Sequence, residues 1–104
     1  MIQDEKFLQQ QAELLKVIAH PVRLCIVRGL WQNGGCNVTH MQQCMDVPQS
    51  TVSQHLAKLR QAGIIEGKRS GLEICYTLKD ERVKAILSCL FPKKKAGTEE
   101  ESSW

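Results

Sequence analysis

Apolar residues recur at three- and four-residue intervals through most of this chain, and switch to strict alternation in one stretch. Phe7, Leu8, Ala12, Leu15 and then Ile18 or Ala19 mark one face of a first helix, over about Asp4–Ile18. "AHP" interrupts it, because a residue that precedes proline avoids the helical region. Pro21 can open a second helix, over about Pro21–Gln32, with Leu24, Val27 and Leu30 or Trp31 as its stripe. Asn33-Gly34-Gly35 is a turn signal. A short third helix, about Val38–Met45, follows with Asn37 as N-cap. Asp46-Val47-Pro48 then makes a tight connection to a fourth, about Gln49–Ala62, which Gly63 stops.

The period then changes to two. Ile64 and Ile65 begin a strand, and Leu72, Ile74, Tyr76 and Leu78 alternate with Glu73, Cys75 and Thr77. Lys68-Arg69-Ser70-Gly71 falls between the two strands as a basic hairpin tip. A last helix over about Asp80–Phe91 carries Val83, Ile86, Leu87 and Leu90, and Pro92 ends it. A two-stranded hairpin is marginal alone and needs helices to pack on. The expected fold is therefore mainly α with a small β-hairpin wing: a winged helix-turn-helix in the order α-α-α-α-β-β-α. Residues 1–91 form one domain, and 92–104, "PKKKAGTEEESSW", form a charged tail expected to be disordered.

The fourth helix raises the question of function. Val52, Leu56 and Leu59 share one side, while the rest is filled with Gln, Ser, Thr, His and Lys and contains no Asp or Glu. An ordinary solvated face mixes both signs of charge. A net charge of +3 over 104 residues is a weak signal, but its distribution is not even. From His20 to Gly71 the bases are Arg23, Arg28, Lys58, Arg60, Lys68 and Arg69, against only Asp46 and Glu66. A basic, acid-free helix after a short helix and a tight turn points to double-stranded DNA. The second helix of such a pair enters the major groove with its N-terminal residues at the base edges. Those residues here are Gln49, Ser50, Thr51, Ser53, Gln54 and His55. Gln can address adenine through two hydrogen bonds, and Ser or Thr several bases. Thr51, Gln54, His55 and Lys58 are spaced to share one outward face. Lys58 and Arg60 suit phosphates, as do Lys68 and Arg69 on the hairpin.

Three segments, "AHPVRLCIVRGL", "PQSTVSQHLAKLRQAGII" and "KRSGLEICYTL", resemble the signature segments of the ArsR/SmtB family of bacterial winged-helix repressors. The similarity runs over about Glu13–Leu90, and its most specific part is "QSTVSQHLAKLRQAGI". The resemblance implies a homodimer built by the first and last helices, a palindromic operator, and repression relieved by an inducer. Independently, both terminal helices carry apolar stripes that a small winged domain has little core to cover, and a two-fold dimer would bury them. The alternative is that both stripes pack within the monomer.

The resemblance also implies relatives that sense metals or thiol-reactive species, and each type has its own ligand pattern. Where an arsenic- or cadmium-sensing relative carries a cysteine cluster, this chain has Asn37, Thr39 and Gln42. Cys36 and Cys44 flank them, about 12 Å apart along a continuous helix, with His40 midway. They form a weak metal-site candidate. In the zinc- and nickel-sensing type the last helix supplies Asp and His. Here Asp80 is present, but Arg82 stands where a His is expected. A thiol-sensing branch uses two cysteines, on the second and last helices; Cys25 and Cys89 fall on those helices at displaced positions. They are the candidate thiol switch, with inert packing as the competing reading. No metal and no cofactor is expected.

Five cysteines, an odd number without a C-x-x-C pair, argue against a zinc finger or a disulfide framework. No apolar run is long enough to span a bilayer, and "MIQDEKFLQQ" is no signal peptide. The protein is expected to be cytoplasmic, with no membrane partner. There is no nucleophile–base pattern, phosphate loop or carboxylate pair, so it is not expected to be an enzyme. A protein–protein module is the remaining alternative to a DNA-binding regulator.

Overall fold

The computed structural model describes residues 3–92; most of the expected charged tail, residues 93–104, lies outside them. The helices are α1 (Glu5–Ile18), α2 (Pro21–Asn33), α3 (Val38–Met45), α4 (Gln49–Gln61) and α5 (Glu81–Leu90). The strands are β1 (Cys36–Asn37), β2 (Ile65–Ser70) and β3 (Glu73–Leu78). The winged helix-turn-helix order is therefore present, with one addition. The sheet has three strands in the order β1-β3-β2, not two. β1 is a two-residue antiparallel pairing of Cys36 with Tyr76 and Asn37 with Cys75. It ties the start of α3 to the wing, and is too short to leave a periodic trace.

Local chemistry sets the helix boundaries. His20 is extended and caps α2: its Nδ1 accepts from the Val22 N–H at 3.1 Å, and Pro21 opens the first turn. Asn37 Oδ1 accepts from the His40 N–H at 2.8 Å and caps α3. Asp80 Oδ1 accepts from the N–H groups of Arg82 and Val83, so Asp80 precedes α5 rather than beginning it. Between α3 and α4, Asp46 takes the left-handed conformation at φ 58°, which turns the chain in three residues.

One core holds the elements together. Val52, Leu56 and Leu59 of α4 are buried, as expected, against Ile26, Met41 and Leu87 among others. Ile65, Tyr76 and Leu78 bring one face of the sheet into it. Gly67 faces Tyr76 across the ladder, and a Cβ there would lie 2.9 Å from the Tyr76 ring and 2.8 Å from Ile74 Cγ2. The missing side chain lets the ring cover the strand. Two stripes are only partly absorbed. On α1, Leu14 and Ile18 are buried, but Phe7 is 58% exposed, Leu8 47% and Leu15 51%. On α5, Val83 and Leu87 are buried while Leu90 is 54% exposed. Arg82 Nη1 donates to Gln11 Oε1 at 3.0 Å, which joins α1 to α5 side by side. No helix among the described residues is long and apolar enough to cross a membrane.

Candidate nucleic-acid interface

With its apolar stripe buried, α4 turns its remaining faces outward. Gln49, Ser50, Ser53, Gln54, Lys58 and Arg60 are exposed, and Thr51 is half-buried at the margin. A helix advances about 100° per residue. Gln54 and Lys58 therefore lie nearly in line, whereas Arg60 points to roughly the opposite side of the axis from Lys58. The two cations flank the helix as phosphate contacts on two groove walls would require. The first turn contains no acid and receives no side-chain cap, since Pro48 precedes it. The Thr51 N–H donates to the Pro48 carbonyl at 3.0 Å, and the N–H groups of Gln49 and Ser50 precede it at the positive end of the helix.

His55 is placed differently from expectation. Its spacing puts it on the open reading face, yet it is half-buried and packs against His20, ring centroids 4.5 Å apart. Arg23 Nε donates to its Nδ1 at 3.1 Å, while Arg23 Nη1 donates to the Val17 carbonyl at 3.0 Å. His55 thus fastens α4 to the α1–α2 corner. Burial, and then the neighbouring His20, Arg23 and Lys58, hold its pKa below the ordinary histidine value. Arg23 and His20 were not among the expected site residues. They lie more than thirty positions away from His55, and local pattern carries no sign of the contact.

The wing also departs from expectation. Lys68 and Arg69 are not at the tip but within β2, opposite Cys75 and Ile74. Adjacent strand residues face opposite sides, so the two cations straddle the ribbon. The turn is Gly71-Leu72, between the paired Ser70 and Glu73. Leu72, expected to continue the inward alternation, is instead the turn apex. Among the described residues, the ion pairs are Lys16–Glu13, Arg82–Asp80 and Lys84–Glu81, all on α1 or around the start of α5. The cations of α4 and β2 enter none of these.

The cysteines are all free thiols. Cys25 is half-buried on α2, and Cys89 is exposed on α5. Arg28 lies 4.8 Å from the centroid of the Phe91 ring, which joins α2 to the end of α5. Cys36 is buried on β1, ahead of α3, and burial, then nearby Cys44, push its thiol pKa up. Cys44 Sγ is 3.6 Å from His40 Nε2. No group of three His, Cys, Asp or Glu able to hold a metal occurs among the described residues. On α5, the Arg82 guanidinium engages both Asp80 oxygens at 2.8 and 3.3 Å, and holds the carboxyl below its usual range.

Known proteins share this arrangement. A helix-turn-helix domain family matches residues 18–68. The chain is 46% identical over 85 residues to the transcriptional repressor PagR of Bacillus anthracis, covering 82% of this chain and 85% of that one. It is 40% identical over 82 residues to the HTH-type transcriptional repressor SmtB of Mycobacterium tuberculosis, covering 79% of this chain and 60% of the relative. The crystal structure of PagR superposes with a TM-score of 0.76 at 44% identity, covering 84% of this chain and 99% of PagR. The structure of reduced HlyU from Vibrio cholerae does so at 0.77 and 33% identity, covering 86% and 96%.

Proposed function

The chain belongs to the ArsR/SmtB family of winged helix-turn-helix repressors, and from that premise we propose that it works as a homodimer on a palindromic operator. As a member of that family it is a DNA-binding transcriptional regulator and not an enzyme. In this proposal α4 lies in the major groove, with Gln54, Ser50 and Thr51 at base edges and Lys58 and Arg60 on phosphates. Lys68 and Arg69 extend the contact along the wing. The carrying observation is that an exposed, acid-free α4 and a wing with unpaired cations occur together. The exposed apolar positions of α1 and α5 support the dimer. A two-fold pair would place two α4 helices on half-sites about 34–36 Å apart, 10–10.5 base pairs or a multiple.

Selection from random duplexes, followed by the mass of the complex on the selected site, tests this reading. Two protomers on an inverted repeat are expected. One protomer per site, or no sequence preference, would overturn it. For derepression we favour thiol oxidation or persulfidation at Cys25 and Cys89. Cys89 is solvent-exposed, the Arg28–Phe91 contact couples the two helices, and a neighbour of this fold is described in a reduced form. Release of operator by a persulfide donor, abolished by Cys25→Ser or Cys89→Ser, is the expected result. Release that survives both substitutions would refute the switch.

A further inference from the structure

The wing ends in an unusual residue for an exposed turn. Gly71 has φ +67° and Leu72 is not among the positive-φ residues, the sign pattern of a type II′ hairpin turn. Such a turn needs glycine at its first central position but places no demand for an apolar group at its second. There the chain puts Leu72, 98% exposed. The other large exposed apolar residues belong to α1 and α5, so the dimer face gives no reason for this one.

The charges around it are ordered. Lys68 and Arg69, both exposed, lie on opposite faces of the ribbon below the apex. Glu73, the acid flanking the turn, accepts at Oε1 from Asn37 Nδ2 at 2.8 Å and is drawn back toward the start of α3. An apolar apex between two cations is complementary to a narrow channel with an anionic wall on each side. The hairpin also has the reach. Six residues of β2 extend about 20 Å at ~3.4 Å per residue. Half a helical turn of DNA, roughly 17 Å, separates a major groove from the next minor groove.

We propose that Leu72 seats in the minor groove beside the half-site read by α4, with Lys68 and Arg69 each meeting one phosphate wall. This rests on the major-groove reading of α4. The minor groove is about 6 Å wide, enough for the Leu72 side chain, while the ribbon, whose strands lie about 4.8 Å apart, stands above it between the phosphate walls. A·T pairs present only acceptors on its floor, whereas G·C adds the guanine amino group. Leucine covering that group would leave its N–H unpaired, so Leu72 selects A·T at the step it covers.

Inosine separates this from major-groove readout. An I·C pair keeps the major-groove edge of G·C but lacks the minor-groove amino group. The selected operator is made with A·T, G·C or I·C about five base pairs outside the α4 contacts. The wild-type dimer is expected to bind the A·T and I·C forms alike and the G·C form about tenfold more weakly. Leu72→Ser, at a fully exposed apex, is expected to melt as the wild type does and to bind all three alike. Retention of the wild-type pattern in Leu72→Ser, or no discrimination by the wild type, would overturn the inference. So would a Leu72→Ser effect on dimer dissociation in place of DNA discrimination. Failure of the wild type to bind any selected duplex would be a different result, and would remove the α4 reading as well.

Discussion

Leu15→Ala offers a clean perturbation of the proposed dimer, because the structure separates two neighbouring leucines by role. Leu14 is 7% exposed and belongs to the protomer core, while Leu15 is 51% exposed and does not depend on it. Burying a whole leucine is worth about 1.5–3 kcal/mol, so the half still exposed is worth ~1 kcal/mol if a partner covers it. Two-fold symmetry makes every substitution count twice. Leu15→Ala should therefore weaken dimerisation by ~2 kcal/mol, or about thirty-fold in dissociation constant. Leu8 lies seven residues earlier on the same side of α1 and is 47% exposed. Adding Leu8→Ala should bring the loss to roughly a thousand-fold, since separate side chains contribute nearly additively. Sedimentation velocity over a dilution series reads the constant directly. Circular dichroism would show an intact helical fold in Leu15→Ala, in contrast to Leu14→Ala, whose core cavity costs ~2–5 kcal/mol of folding stability. A dissociation constant unchanged within threefold, or a wild type that is monomeric throughout, would refute the assignment of α1 to the dimer face.

Gly67→Ala pushes a methyl group to within 3 Å of Ile74 and Tyr76, and should destabilise the domain by ~1–3 kcal/mol in a urea melt; a neutral result would contradict the described packing. His55 binds its proton less readily in the folded chain, against burial and the charges of His20, Arg23 and Lys58. Its contribution therefore destabilises the fold as pH falls below the ordinary histidine value of 6.5, when the unfolded chain takes up the proton first. Stability measured between pH 7.5 and 5.5 should fall less steeply in His55→Gln than in the wild type; parallel curves would deny the contact. Arg69→Ala should weaken binding to operator and random duplex alike and reduce the logarithmic salt slope by about 1 per protomer; an unchanged slope would remove Arg69 from the phosphates.

Much of this architecture was legible because single residues carry strong local preferences. Pro21 and Asn37 mark helix starts, Gly63 marks a stop, and Val52, Leu56 and Leu59 declare the buried side of α4. What escaped were features made by pairs far apart in the chain. β1 is two residues long, below any period, and exists only because β3 receives it. The Arg23–His55 and Asn37–Glu73 hydrogen bonds each join residues more than thirty positions apart. Leu72 fits the alternation of Ile74, Tyr76 and Leu78, but Gly71 adopts a positive φ and the turn takes the next residue out of the strand. The candidate DNA contacts of α4 were legible as a composition. Which of them are open, and which, like His55, are tied to another element, required the packing.

Gln54 tests most directly whether α4 reads bases and not only phosphates. Gln54 is exposed near the start of α4 and in line with Lys58, with no side-chain hydrogen bond among the described residues. The measurement is the dissociation constant of the wild type and of Gln54→Ala on the selected operator and on a scrambled duplex at one salt concentration. Base reading by Gln54 gives a loss of ~1–3 kcal/mol on the operator, about five- to a hundred-fold, and less than about twofold on the scrambled duplex. Equal losses on both duplexes, or none on the operator, would contradict it.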